Sequence, residues 1–228
     1  MSSSTAVEKR TYALVPGAGG VAWYWSRVAP LLEQAGHSAI PIDLPGDDPE
    51  AGLPEYVDIV VDAIGERSDV ILVAQSLGGF TVPLVAQRVP LAAIVLVNAM
   101  IPAPGETAGD WWDNVGSAAA RVEAAQRHGY PTEFDVQTYF LHDIDTAVAA
   151  EGEPYQRAQS DTVFETPCMF TTWPAVPTQV LCGADDRWFP LDFQQRVASD
   201  RLGLEPVVLP GGHLVALSQP KLLADLLR

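Results

Sequence analysis

The strongest chemical signal in the chain is the run Ala74-Gln75-Ser76-Leu77-Gly78-Gly79. It stands directly after the apolar segment Val70 to Val73 and directly before a stretch with helical spacing, which places Ser76 on a tight strand-to-helix turn. Such a turn strains the backbone at the serine and needs small residues two before and two after it, and Ala74 and Gly78 meet that need. The usual pattern has Gly where Ala74 stands. The turn lifts the Ser76 hydroxyl clear of a sheet, while the helix N-terminus below it aims free N–H groups and a partial positive charge at any anion formed there. Nucleophile and oxyanion support then come from one turn, as acyl transfer requires. A simple N-cap serine ahead of a Gly-rich packing contact is the bland alternative for the same residues.

A serine hydroxyl is barely nucleophilic at neutral pH, so it needs a base within hydrogen-bond reach, and the base needs an orienting carboxylate. Of the four histidines, His213 in Pro210-Gly211-Gly212-His213-Leu214 follows the last strand-like run and precedes the last helical one. A loop there, at the carboxyl edge of a sheet, brings it over Ser76. His37 follows Gly36 in a turn on the opposite edge and reads as a surface residue, and His128 and His142 fall in a separate central region. The carboxylate is expected between serine and histidine, after a strand, where Gly183-Ala184-Asp185-Asp186-Arg187 lies. Either aspartate could serve; the Gly-x-x-Asp turn favours Asp186, with Asp185 facing solvent near Arg187. The order Ser76, Asp186, His213 is that of a nucleophile-elbow triad.

A second oxyanion donor is expected from the loop Val15-Pro16-Gly17-Ala18-Gly19-Gly20, whose glycines let backbone approach a substrate oxygen. The N–H groups of Ala18 and Leu77 form the expected pair. Phosphate binding is disfavoured, because the spacing is not that of a dinucleotide or P-loop motif and Trp23-Tyr24-Trp25 would crowd a pyrophosphate. This chemistry calls for no cofactor and no metal.

The elements that must position these residues are written in the hydrophobic pattern. Apolar runs at 12–15, 38–42, 70–74 and 93–97 alternate with helical patterns at 23–35, 56–66 and 77–87, which predicts a doubly wound, mostly parallel α/β sheet of about six strands. Strands resume at 178–182 and 205–209, and residues 214–227 predict a closing helix. The intervening stretch, about 101–173, is too long for a loop and reads as an inserted helical cap within a single domain whose core is 10–100 and 174–228. Its aromatics, Trp111, Trp112 and Phe140 among them, either fill the cap's own core or line a pocket over Ser76, together with Gly17 and Trp23 from the sheet edge.

Hydrophobic residues at 48% and charged residues at 18% fit a folded globular chain and exclude intrinsic disorder. A net charge of −16 repels phosphate backbones and anionic membranes. The expected partners are a small-molecule substrate and at most a second copy in a homodimer, with no nucleic acid and no membrane. Residues 1–10 are polar, without the apolar core of a secretory signal, and no run approaches a membrane span, so a cytoplasmic location is expected. Cys168 and Cys182 cannot build a metal cluster between them, and neither sits in a nucleophile motif.

With these motifs in place, the chain resembles the α/β-hydrolase superfamily, and within it the small bacterial hydrolases related to plant methylesterases and hydroxynitrile lyases. The resemblance rests on Gly17-Ala18-Gly19-Gly20 with Trp23, on Asp43-Leu44-Pro45-Gly46, on Gln75-Ser76-Leu77-Gly78-Gly79, on Gly183 to Asp186 with Pro190, and on Gly212-His213-Leu214 through Pro220. It implies an ester- or thioester-cleaving fold with a triad of Ser76, Asp186 and His213 and an oxyanion hole at Ala18 and Leu77. Pro16 replaces a histidine that braces the first loop in many members. Gly17 and Leu214 stand where the lyases carry Thr and Lys, which favours hydrolysis of small esters, lactones or thioesters. A ligand-binding receptor, or a cofactor-free lyase or oxygenase, is the alternative on the same fold.

Overall fold

In the computed structural model, which describes residues 9–228, six parallel strands form one sheet in the order β2-β1-β3-β4-β5-β6. They are β1 (Thr11–Val15), β2 (Ser38–Pro41), β3 (Val70–Gln75), β4 (Ala93–Val97), β5 (Thr178–Gly183) and β6 (Val207–Leu209). The reading of the polar N-terminus lies largely outside the described residues. Each central strand is buried on both faces because a helical layer covers each. Ala13, Val15, Leu72, Ala74, Ile94 and Leu96 pack on one side against α2 (Leu53–Ile64), α3 (Val82–Ala86) and α9 (Leu191–Leu202). Tyr12, Leu14, Ile71, Val73, Val95 and Val97 pack on the other against α1 (Ala29–Gln34), α10 (Val215–Ser218) and α11 (Pro220–Leu227). This is the two-sided burial that continuous apolar runs specify.

Three expected helices are broken, each at a proline. The pattern at 23–35 divides into a 3-10 turn, Ala22–Trp25, and α1; that at 77–87 into a 3-10 turn, Ser76–Thr81, and α3; and that at 214–227 into α10 and α11. Pro30, Pro83 and Pro220 each sit in the first turn of the second piece, where a missing N–H costs nothing. Each would remove a bond and clash in the middle of a continuous helix.

Between β4 and β5 lie α4 (Ala108–Asn114), α5 (Ser117–His128), α6 (Val136–Tyr139), α7 (Thr146–Gly152) and α8 (Thr162–Glu165). These pieces are short, and side-chain caps start several of them: Thr107, Asp135 and Asp145 accept from the N–H groups of Asp110, Thr138 and Ala147. Buried Glu106 ties this layer to the sheet domain. It pairs with Arg201 of α9 through both oxygens at 2.9 and 3.1 Å and accepts from Asn114 Nδ2 and the Ala103 N–H.

His37 departs from its expected surface position. It is 8% exposed, packs edge-on against Tyr12, and its Nδ1 accepts the Arg10 N–H, so it closes the amino end of the sheet. No helix among the described residues is long and apolar enough to cross a membrane.

Candidate active site

Strand order reverses between β1 and β3, since the chain leaves β1 for β2 on one side and returns to β3 on the other. The crevice beyond the carboxyl ends of these two strands is where open α/β sheets build ligand sites. The Gly17–Gly20 turn closes one side of it and Ser76 the other. Ser76 holds φ +49, a left-handed conformation rare for a residue with a side chain. The surrounding packing over-determines it: a Cβ on Gly78 would stand 2.5 Å from the Pro16 carbonyl, and one on Gly17 would stand 2.8 Å from the Ser76 Cβ. Neither position admits any residue but glycine without displacing the loop.

Three sheet ends deliver three side chains to one line. His213 Nε2 lies 3.0 Å from Ser76 Oγ, and His213 Nδ1 lies 2.8 Å from Asp186 Oδ2. All three residues are buried. Asp186 Oδ1 accepts the N–H groups of Trp188 and Phe189, each at 2.8 Å, and Gln194 Nε2 approaches Oδ2 at 3.3 Å. A carboxylate only accepts, so the imidazole proton sits on Nδ1 and Nε2 is left to accept from the Ser76 hydroxyl. Phe140 and Phe189 flank the His213 ring at centroid distances of 5.2 and 5.0 Å.

Asp185 is exposed, and it has a part that the sequence does not foretell. Its Oδ2 accepts the Gly211 N–H at 3.0 Å and its own N–H donates to the Gly211 carbonyl, which pins the histidine loop. Ala18 is exposed to the crevice, and Leu77 lies in the first turn after the elbow, where backbone N–H groups have no intrahelical partner.

A family model described as "Alpha/beta hydrolase family" matches residues 13–226. The chain belongs to the α/β-hydrolase family. Among curated relatives, the probable esterase PIR7A of Oryza sativa subsp. indica is 38% identical over 112 residues, 43% of this chain and 42% of the relative. Methylesterase 3 of Arabidopsis thaliana is 28% identical over 145 residues, 55% of each chain, and the alpha-hydroxynitrile lyase of the same plant is 33% identical over 106 residues, 41% of each. The chain thus spans about half the length, or less, of the curated relatives it matches. The solved structure of an extracellular α/β-hydrolase from a Paenibacillus species superposes with a TM-score of 0.77 at 21% identity, covering 96% of this chain and 97% of that one. Polyneuridine aldehyde esterase gives 0.77 at 18% identity, covering 96% and 98%. These structural likenesses carry the fold.

Within this hydrolase fold, a largely apolar cavity of about 350 Å³ lies over Ser76, His213, Ala18 and Leu77. Trp112 and Phe140 line it, joined by Phe164 and Trp188. Trp111 does not. It is fully buried behind this wall, packed edge-on against Phe189 and Phe193, and its indole N–H is satisfied by the Ile101 carbonyl at 3.0 Å. Gly17 and Trp23 line a neighbouring cavity of about 280 Å³, which meets the first at Ala18, Gln75, Leu141, Gln156 and Leu214.

Several residues outside the motifs complete the geometry. Asn98, fully buried at the end of β4, donates to the carbonyls of Gly212 and His213 at 3.0 and 3.1 Å and accepts the Gly183 N–H at 2.7 Å, so one amide joins the aspartate loop to the histidine loop. Asp143 accepts the Gly212 N–H at 2.6 Å from the cap side. An Asn directly after the apolar run Ala93 to Val97 was the visible signal for the first; nothing local marks the second. Burial pushes the thiols of Cys168 and Cys182 up to about 12, which leaves neither as a nucleophile at neutral pH. Among the described residues no three His, Cys, Asp or Glu side chains converge as metal ligands would.

Proposed function

We propose that this chain is a serine hydrolase that cleaves small-molecule carboxylic esters, with lactones and thioesters as chemically equivalent substrates. The observation that carries the reading is the continuous line Ser76 Oγ, His213 Nε2, His213 Nδ1, Asp186 Oδ2 at 3.0 and 2.8 Å, opening onto an apolar cavity. Ser76 Oγ attacks the substrate carbonyl carbon while its proton passes to His213 Nε2. The carbonyl oxygen takes up the electron pair and lies against the Ala18 and Leu77 N–H groups. Collapse breaks the bond to the leaving oxygen or sulfur, which takes the proton from His213. Water then repeats the sequence on the acyl-serine and releases the acid. Asp186 stays ionised throughout, holds the ring in the reactive tautomer and stabilises the imidazolium.

The residues lining the cavity over Ser76 include no Lys or Arg. That favours hydrolysis over a lyase reaction, in which a departing anion needs a positive partner. The names of the rice esterase and the Arabidopsis methylesterase point the same way, and that of the Arabidopsis hydroxynitrile lyase points to the other reaction.

A fluorophosphonate probe tests the proposal. Wild-type protein is expected to label at one site, assigned to Ser76 by peptide mass, and to hydrolyse p-nitrophenyl butyrate. Ser76→Ala is expected to abolish labelling and to lower kcat by about 10⁶-fold with the fold intact by circular dichroism. Labelling that survives this substitution, or an unreactive wild type, would refute the assignment.

A further inference from the structure

The oxyanion loop is held from outside its own strand. Gly19 sits at φ +83, a conformation in which the peptide joining it to Ala18 turns over at little cost. One end of this turn is fixed internally, by the Gly20 N–H donating to the Gly17 carbonyl at 3.0 Å. The other end is fixed by the cap: the buried Gly19 N–H donates to Gln159 Oε1 at 2.8 Å, across 140 residues of sequence. The Gln159 amide is itself oriented by the carbonyls of Gly46 and Ser160, both 3.2 Å from Nε2, and by the Tyr56 hydroxyl at 3.1 Å. Turning the amide over would set its donors against the Gly19 N–H, so the acceptor must face the loop.

The segment bearing Gln159 is strapped to the loop after β2. Arg157 donates to the Leu44 carbonyl and to Asp43 Oδ2, the Ser160 N–H donates to the Gly46 carbonyl at 2.7 Å, and Thr162 Oγ1 donates to the Pro49 carbonyl. The Arg157 carbonyl lies so close to Gly19 that a Cβ there would stand 2.9 Å from it. The oxyanion loop is thus pressed between the cap strap and the turn at Gly46. Pro16 has no side-chain donor or acceptor to brace this loop from within, and Gln159 does so from above.

We infer that Gln159 is a positioning residue for the oxyanion hole: by holding the Gly19 N–H it fixes the turn that aims the Ala18 N–H at the reacting carbonyl. The inference rests on the proposed acyl-transfer reading. Its signature is selective, because a donor aimed at the position of the oxyanion acts on the transition state and scarcely on the bound ester.

The experiment compares wild type, Gln159→Leu, Gln159→Asn and Thr162→Val on p-nitrophenyl butyrate, with trifluoroacetophenone as an inhibitor that adds to Ser76 and carries an oxyanion. Gln159→Leu removes the acceptor at nearly constant volume and is expected to lower kcat by about 10- to 100-fold with KM within about two-fold. Its inhibition constant for the ketone is expected to rise in step with the fall in kcat. Gln159→Asn withdraws the acceptor by one methylene and is expected to fall between, which keeps the test open if the leucine variant does not fold. Thr162→Val loosens the strap at Pro49 without touching Gly19 and is expected to keep kcat within about two-fold. Equal kcat and ketone affinity in the wild type and both Gln159 variants, or a Thr162→Val loss as large as that of Gln159→Leu, would overturn the inference while leaving the esterase reading standing. A wild type inert to both ester and ketone would overturn the two together.

Discussion

Trp111 and Trp112 are neighbours on one helix of the cap, and they belong to two differently built regions. Trp111 faces the interior that the cap shares with α9, where its ring is enclosed and its N–H is satisfied by backbone. Trp112 faces the cavity and packs against Trp188, which also lines it, and against the buried Phe189. The same division holds for the site as a whole. On the sheet side, position is set by hydrogen bonds to backbone: Asp186 by the N–H groups of Trp188 and Phe189, and the histidine loop by Asn98 and Asp185, with Asp143 reaching the Gly212 N–H from the cap. Around the cavity over Ser76, position is set by contact between rings, with Phe140 of the cap and Trp188 from the loop after β5 meeting at 5.2 Å and no hydrogen bond between them. Hydrogen bonds to backbone tolerate displacement poorly, whereas ring contacts repack. Substitutions among the hydrogen-bonding groups should therefore slow the chemistry, and those among the rings of the cavity should redirect it.

The sharpest way to break this comparison on the sheet side is to exchange the two aspartates. In Asp186→Asn, the Trp188 and Phe189 N–H groups keep the amide oxygen toward themselves, so the amide NH₂ turns to His213 Nδ1. The imidazole then carries its proton on Nε2, facing Ser76, and cannot act as a base. A fall in kcat of about 10⁴-fold is expected. Asp185→Asn retains an oxygen for the Gly211 N–H and is expected to cost less than about ten-fold. Steady-state kinetics of the two variants decide the matter, and the reverse ranking would move the orienting role to Asp185.

The cap's attachment gives a smaller effect of a different kind. Glu106→Ala leaves the Arg201 guanidinium facing a cavity with its partner gone, together with unpaired donors from Asn114 and Ala103. Breaking a buried pair of this sort costs about 3 kcal/mol. For a domain of this size that lowers Tm by roughly 6–12 °C, measurable by calorimetry, while kcat at 20 °C is expected to fall by no more than about three-fold. A Tm shift of less than about 2 °C would mean that ring packing alone holds the cap.

The sheet and the line of Ser76, His213 and Asp186 were legible because their signals are local. Val70 to Val73 followed by Ala74-Gln75-Ser76-Leu77-Gly78 states strand, turn, candidate nucleophile and helix within ten residues, and Gly183 to Asp186 and Gly211 to His213 repeat that grammar at two more strand ends. Gln159 and Asn98 were not legible in the same way, since their partners are backbone groups 140 and 85 residues distant and any polar residue in the right place could serve. The breaks at Pro30, Pro83 and Pro220 were written in the sequence but overridden by apolar spacing, which continues across a proline even when a helix does not. Trp111 and Trp112 show the remaining limit. Adjacent residues of one type differ by about 100° around a helix, and only the tertiary partner decides which faces the substrate.

That difference is also the finest measurement available. The Trp112 and Phe140 rings border the cavity over Ser76, so an acyl or leaving group long enough to reach them gains apolar contact that acetate cannot. A panel of p-nitrophenyl esters from acetate to decanoate, run beside phenylacetate, is expected to give maximal kcat/KM at a medium-length or aromatic acyl group. Trp112→Ala or Phe140→Ala is expected to lower that maximum by about ten-fold, near 1.5 kcal/mol, and to move it to a different chain length. Trp111→Phe removes a satisfied N–H and part of a packed ring from the shared interior. It is expected to lower Tm by roughly 4–8 °C, the equivalent of about 2 kcal/mol, without moving the maximum. If the maximum moves with Trp111 and ignores its neighbour, the assignment of the two rings is reversed. If it sits at acetate and responds to none of the three, the substrate is held by the second cavity, between Gly17 and Trp23, and the aromatic wall over Ser76 serves to exclude water.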